Sequence, residues 1–123
     1  MERADPVLVV EDNADVREGM RICLEQRGYA VATAGDGSEA LQLLDAGLRP
    51  CLILLDLMMP KVDGFGFRRE QLADPAKASI PVVLFSGMYD ARMQCTVLGT
   101  LGYMQKPVDP ERLLTLVAQH RRK

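Results

Sequence analysis

The sequence has no tryptophan, and its few phenylalanines and tyrosines bring the aromatic content to only 5%. That argues against an aromatic-lined ligand pocket. Long apolar runs are missing as well. The longest, Cys51 to Leu55, has five residues, where a membrane span needs roughly 20, so no membrane insertion is expected. The first residues, Met1-Glu2-Arg3-Ala4-Asp5-Pro6, are charged and lack the apolar stretch of a signal peptide. A cytoplasmic location follows as an expectation. Charge of one sign is also lacking: 15 basic against 17 acidic residues leave a net charge of -2. There is no electrostatic footprint for direct nucleic-acid binding and no polyanionic, disordered composition. The three cysteines, Cys23, Cys51 and Cys95, have no metal-ligand spacing and cannot all pair with one another. Each lies in an apolar segment, so they read as small core residues of a reducing compartment.

What is present is enough for one domain. The 123 residues are 48% apolar, which supplies one core and not two. Along the chain, short β-branched runs alternate with helical patterns. Val7-Leu8-Val9-Val10, Tyr29 to Thr33, Cys51 to Leu55, Ile80 to Phe85 and Gly102 to Gln105 read as five short strands. Between them, Val16, Met20, Cys23 and Leu24 fall on one helical face closed by Gly28. Asp36 with Glu39 opens a second helix that ends near Gly47. A third runs from about Asp63 to Ala73, stopped by Asp74-Pro75, with a weak first turn at Gly64 and Gly66. A poorly patterned fourth covers Tyr89 to Leu98, and Asp109-Pro110-Glu111 opens a fifth. Met58, Met59, Met88 and Met93 read as packing residues.

Five strands alternating with five helices predict an α/β, doubly wound parallel sheet with helices on both faces. The expected strand order is the flavodoxin-like 2-1-3-4-5. In such sheets the ligand site lies beyond the carboxyl ends of the strands. Strand one ends on Glu11-Asp12, strand three on Asp56 and strand four on Ser86, and strand five leads into Lys106. Three carboxylates, a hydroxyl and an ammonium are thus expected on one rim. Two like charges about 4 Å apart repel by roughly 1 kcal/mol in water and roughly 4 at an effective dielectric of 20. A single lysine does not offset three acids. A hard divalent cation does, and an all-oxygen donor set suits Mg2+. Glu11 and Asp12, adjacent in sequence, suit a metal clamp. Asp56, alone at the end of the central strand, suits the nucleophile of phosphoryl transfer, with Lys106 and Ser86 as contacts for the phosphoryl oxygens.

These residues resemble those of the receiver domains of two-component response regulators, including the single-domain, chemotaxis-type regulators. The likeness runs from about Val7 to Val117, and the whole of residues 1–123 is expected to be one receiver domain. It rests on the acidic pair Glu11-Asp12, the segment Asp56-Leu57-Met58-Met59-Pro60 with Asp63-Gly64, the hydroxyl of Ser86, and Lys106-Pro107 with Tyr103 three positions before the lysine. The resemblance implies that Asp56 accepts a phosphoryl group from a histidine kinase or histidine phosphotransfer protein. It implies that Glu11, Asp12, Asp56 and the backbone carbonyl of Met58 bind Mg2+, and that Lys106 and Ser86 contact the phosphoryl group. Ser86 and Tyr103 would act as the switch of a surface formed by the fourth helix, the fifth strand and the fifth helix. It also implies that the Lys106–Pro107 peptide bond is often cis, and that the chain is a signalling phosphoacceptor and not an enzyme acting on other substrates.

Departures from the family pattern are Gly87 after Ser86, Val108 after Lys-Pro, and a fourth helix without acidic character. Four other readings compete. Glu11 and Asp12 could also simply cap the first helix, since aspartate favours that position. A phosphatase with an aspartate nucleophile would carry a second aspartate at the position of Met58. A nucleotide or flavin binder of the same fold would carry a glycine-rich loop in place of Glu11-Asp12-Asn13. A pseudo-receiver would act by interaction alone, without phosphorylation.

Overall fold

A computed structural model describes residues 5–59 and 61–122. Pro60, part of the segment that carries the family likeness, and the charged start before Asp5 lie outside the described residues. The chain alternates β1 (Val7–Val10), α1 (Ala14–Glu25), β2 (Val31–Ala34), α2 (Gly37–Asp45), β3 (Leu52–Asp56), α3 (Gly64–Ala73), α4 (Pro75–Ala78), β4 (Val82–Ser86), α5 (Ala91–Leu98), β5 (Gly102–Gln105) and α6 (Pro110–His120). All four strand pairings are parallel, and the order is β2-β1-β3-β4-β5, as the alternation predicted.

One helix more than expected is present among the described residues. Asp74-Pro75 does stop α3, but Asp74 also accepts from the Ala76 amide and Pro75 takes the first position of the one-turn α4. A stop signal for one helix is chemically the same as a start signal for the next. The other boundaries move by one to three residues. The strand expected over Tyr29 to Thr33 is Val31–Ala34, and that over Ile80 to Phe85 is Val82–Ser86, because its pairing with β3 begins after Pro81, at Ile53 against Val82. The helix expected from Tyr89 begins at Ala91, since the Asp90 side chain caps it at the Met93 amide. The first helix ends at Glu25 with Gln26 as its C-cap, and Gly28, at φ 87, turns the chain toward β2.

The central strands are buried on both faces: every residue of β1, β3 and β4 is buried. One face packs under α1 and α6 through Met20, Leu24, Leu113, Leu116 and Val117, and the other under α2 and α3 through Ala40, Leu44 and Phe67. Cys51 is buried, while Cys23 and Cys95 are only half-buried, and all three are free thiols. The methionine reading fails at three positions: Met58 is 40%, Met88 74% and Met93 60% exposed. Met58 lies in the loop after β3, and the other two where α5 and the loop before it face outward, so none of the three fills the core. No helix among the described residues is long and apolar enough to cross a membrane.

A buried polar network ties α3 to α5. The Arg68 guanidinium donates to Leu98 O at 3.0 Å, Gly99 O at 3.0 Å and Gln71 Oε1 at 2.8 Å. Gln71, fully buried, donates onward to Lys77 O and Ile80 O. Among the described residues no acid pairs with Arg68, and burial lowers its pKa. Its role is to satisfy the carbonyls that end α5, which have no helical partner. Arg68→Ala leaves those part-buried carbonyls and the buried Gln71 Oε1 without their protein donor. A loss of about 2–4 kcal/mol is expected, read as a lower urea midpoint with an unchanged slope.

Candidate functional site

The rim is built by register. Val10 on β1 lies beside Leu55 on β3, Asp56 beside Phe85 on β4, and Ser86 beside Gln105 on β5. The residues at or just past these rungs, Glu11, Asp56, Ser86 and Lys106, therefore come to the same end of the sheet. Glu11 is 0% and Asp56 1% exposed, and Asp12 is exposed beside them. Carboxylate oxygens of Glu11, Asp12 and Asp56 lie within 4.8 Å of one another. The Lys106 ammonium donates to Glu11 Oε1 at 2.9 Å and to Asp56 Oδ2 at 3.4 Å, and stands 5.4 Å from the centre of the Phe85 ring.

The capping alternative for the acidic pair fails on local geometry. Asn13 takes that role: its Oδ1 accepts from the amides of Asp15 and Val16. Glu11 and Asp12 are left out of the helix start, and Arg17 instead holds the Glu11 carbonyl at 2.8 Å.

Burial and the facing Asp56 carboxylate push the Glu11 pKa up to about 8, against the pull of Lys106. Burial works against the charge of Lys106 too, but its bonds to Glu11 and the charge of Asp56 keep its pKa above the usual value. Among the described residues, Glu11 Oε2 is buried without any hydrogen-bond partner. A carboxylate oxygen in that position asks for a cation. The donor set, three carboxylates with an open side at Asp12, fits a hard oxygen-seeking ion such as Mg2+.

The loops around the cluster are tight. A Cβ on Gly64, at the start of α3, would lie 2.5 Å from Asp56 O, so only glycine lets this helix begin against the end of β3. The Met58 amide donates to Asp56 Oδ1 at 3.3 Å. The Ser86 hydroxyl, fully buried, accepts from the Tyr89 amide at 3.0 Å and so faces its own loop. Tyr89 in turn meets the Phe65 ring edge-on, with centroids 5.3 Å apart. Tyr103 is half-buried under α5, against the cluster of Leu57, Leu84 and Ala91. The Lys106–Pro107 peptide bond is cis. Sequence reasoning missed Gln105, whose side chain bonds Ser86 O, Tyr89 O and the Ala91 amide. Its only signal was its place next to Lys106.

An open five-stranded parallel sheet with a lysine-bridged acidic cluster at its carboxyl edge defines a class of signalling domain. The chain belongs to the response regulator receiver domain family, matched over residues 7–118. It is similar to the receiver protein of Pseudomonas putida, with a TM-score of 0.87 and 32% identity, covering 97% of this chain and 99% of that one. It is also similar to the chemotaxis protein CheY4 of Vibrio cholerae, with a TM-score of 0.85 and 28% identity, covering 96% and 99%. Among curated proteins it is 37% identical, over 90% of its length, to the DNA-binding dual master transcriptional regulator RpaA of Synechocystis, of which it covers 46%. The chain spans less than half the length of the first curated relatives it matches.

Proposed function

We propose that this receiver domain is a phosphoacceptor: Asp56 takes a phosphoryl group from a phosphohistidine of a histidine kinase or histidine phosphotransfer protein. The observation that carries this reading is the buried pair Glu11 and Asp56, both bonded by Lys106, with Asp12 completing a set of three acids within 4.8 Å. Glu11, Asp12, Asp56 and the carbonyl of Met58 would hold Mg2+, which supplies charge neutralisation for an anion entering an acidic site. An Asp56 oxygen attacks phosphorus, the new O–P bond forms as the P–N bond of the donor breaks, and the imidazole leaves. Lys106, freed from part of its pairing with Asp56, turns its ammonium to the phosphoryl oxygens. Ser86 turns its hydroxyl from the Tyr89 amide toward the same oxygens. The phosphoryl group brings a charge of roughly -2, and these two contacts bias the loop between β4 and α5. The face of α5, β5 and α6 then shifts population, with the half-buried Tyr103 turning further inward.

The chain's own reactivity is limited to gaining and losing this group. Incubation with acetyl phosphate and Mg2+ is expected to add the mass of one phosphoryl group, and EDTA to prevent it. An unchanged mass with small phosphodonors and with a panel of histidine kinases would instead establish a domain that works by interaction alone.

A further inference from the structure

We infer that Gln105 is a positioning residue for Ser86: its amide latches the loop between β4 and α5, and so sets how readily the Ser86 hydroxyl reaches a phosphoryl group on Asp56. This rests on the phosphoacceptor reading above. Gln105 is the last residue of β5, beside Ser86 in register and directly before Lys106. Its Nε2 donates to Ser86 O at 2.7 Å and to Tyr89 O at 3.1 Å, and its Oε1 accepts from the Ala91 amide at 2.9 Å. Two partners are carbonyls and one is an N–H, so the orientation of the amide is fixed by the network itself. One exposed side chain thereby holds the start of the loop, its middle and the first turn of α5.

The latch bears on Ser86 through Tyr89. The Ser86 hydroxyl accepts from the Tyr89 amide, while Gln105 grips the carbonyl of Tyr89 and that of Ser86. Turning the hydroxyl toward Asp56 gives up its bond from the Tyr89 amide, and any movement of the loop that follows works against both Gln105 bonds. The other wall of the loop is soft: a Cβ on Gly87 would meet only the methylenes of Lys106, at 3.4 Å or more. Beside the Lys106 amide, which also donates to Ser86 O at 2.8 Å, Gln105 is the side-chain tie on the loop that moving Ser86 must work against. No other side chain of that length offers two donors and an acceptor together. Glutamate is isosteric but cannot donate when ionised, and leucine does neither.

The test uses Gln105→Leu and Gln105→Glu beside the wild-type chain, with two readouts by NMR. The first is hydrogen exchange of the Tyr89 and Ala91 amides in the metal-free protein. The second is the apparent affinity for beryllofluoride at saturating Mg2+. Gln105→Leu is expected to speed exchange at both amides roughly 10-fold. It should also tighten beryllofluoride binding roughly 3- to 10-fold, because a larger fraction of molecules has the loop free to close. Gln105→Glu keeps the acceptor, so Ala91 stays protected while Tyr89 exchanges faster and affinity rises by less. Unchanged exchange at both amides overturns the latch, as does a uniform rise across all amides, which marks a general loss of stability. Unchanged or weaker beryllofluoride binding with faster loop exchange overturns the link to Ser86. If the wild-type chain binds no beryllofluoride, the phosphoacceptor reading falls, and the exchange arm still decides whether Gln105 holds the loop.

Discussion

Asp56→Asn is expected to abolish Mg2+-dependent labelling by acetyl phosphate and, in the same protein, to raise the thermal stability measured without metal. The first half follows from the chemistry: an amide is a far poorer nucleophile than a carboxylate toward phosphorus, and no other carboxylate of the cluster occupies the end of the central strand. The second half follows from the charges. Asp56 is 1% exposed, faces the fully buried Glu11, and shares one lysine with it. Above about pH 8, where Glu11 is ionised as well as Asp56, removing one of the two like charges relieves between about 1 and about 4 kcal/mol, depending on the effective dielectric; at lower pH Glu11 holds a proton and the gain is smaller. Asparagine keeps the shape and can donate to Glu11, whose orphaned oxygen lacks a partner. Measured at such a pH, the midpoint of thermal unfolding should rise by several degrees. Sensitivity of that midpoint to added Mg2+ should fall, because one of the three proposed carboxylate ligands has lost its charge. Loss of labelling with a lowered midpoint would mean that Asp56 is needed for folding and leave the phosphoacceptor role without support from this variant.

That residues so far apart in sequence could be brought together on paper has a physical origin. Glu11, Asp56 and Lys106 each follow an apolar run or a short strand, and a parallel sheet delivers the ends of its strands to one edge whatever the loops do. The pattern that fixes the sheet therefore fixes the rim. Boundaries were less legible because Pro81, Asp74 and Asp90 act through single hydrogen bonds that hydrophobic period does not register. The Asn13 cap illustrates the same limit: Asp12 and Asn13 are both favoured cap residues, and only the structure shows that the second accepts the amides of Asp15 and Val16. Arg68, Gln71 and Gln105 were invisible for another reason. Apart from the bond between Arg68 and Gln71, each finds its partners in backbone groups of other segments, and a backbone group has no signature in sequence. The exposure of Met58, Met88 and Met93 was misread because methionine serves core and surface equally well.

Metal-free stability is expected to fall as pH rises from about 5 toward 8, and Mg2+ to reverse the fall. Glu11 carries a folded-state pKa near 8 against an unfolded value of 4.5. Between these values the folded chain holds a proton that the unfolded chain has released. Stability must then decrease with pH, by up to about 1.4 kcal/mol per unit for one such group. The contribution is whole below the unfolded value and is lost as pH climbs through the folded one. Other shifted groups do not obscure this window. Lys106 and Lys77 are raised from 10.5, so their contributions persist until strongly alkaline pH. Glu18 and Asp74 are lowered from 4.5 and 3.8, so theirs vanish only at the acid end. Mg2+ has the opposite dependence, since it needs Glu11 ionised: its affinity should rise with pH and level off above about 8. Urea midpoints at pH 5, 6, 7 and 8, with and without Mg2+, should diverge as pH increases. Glu11→Gln removes the titrating group and should flatten the metal-free curve. A wild-type curve already flat without metal would mean that Lys106 keeps Glu11 ionised throughout, and that this ion pair, not a shared proton, balances the acids before the metal arrives.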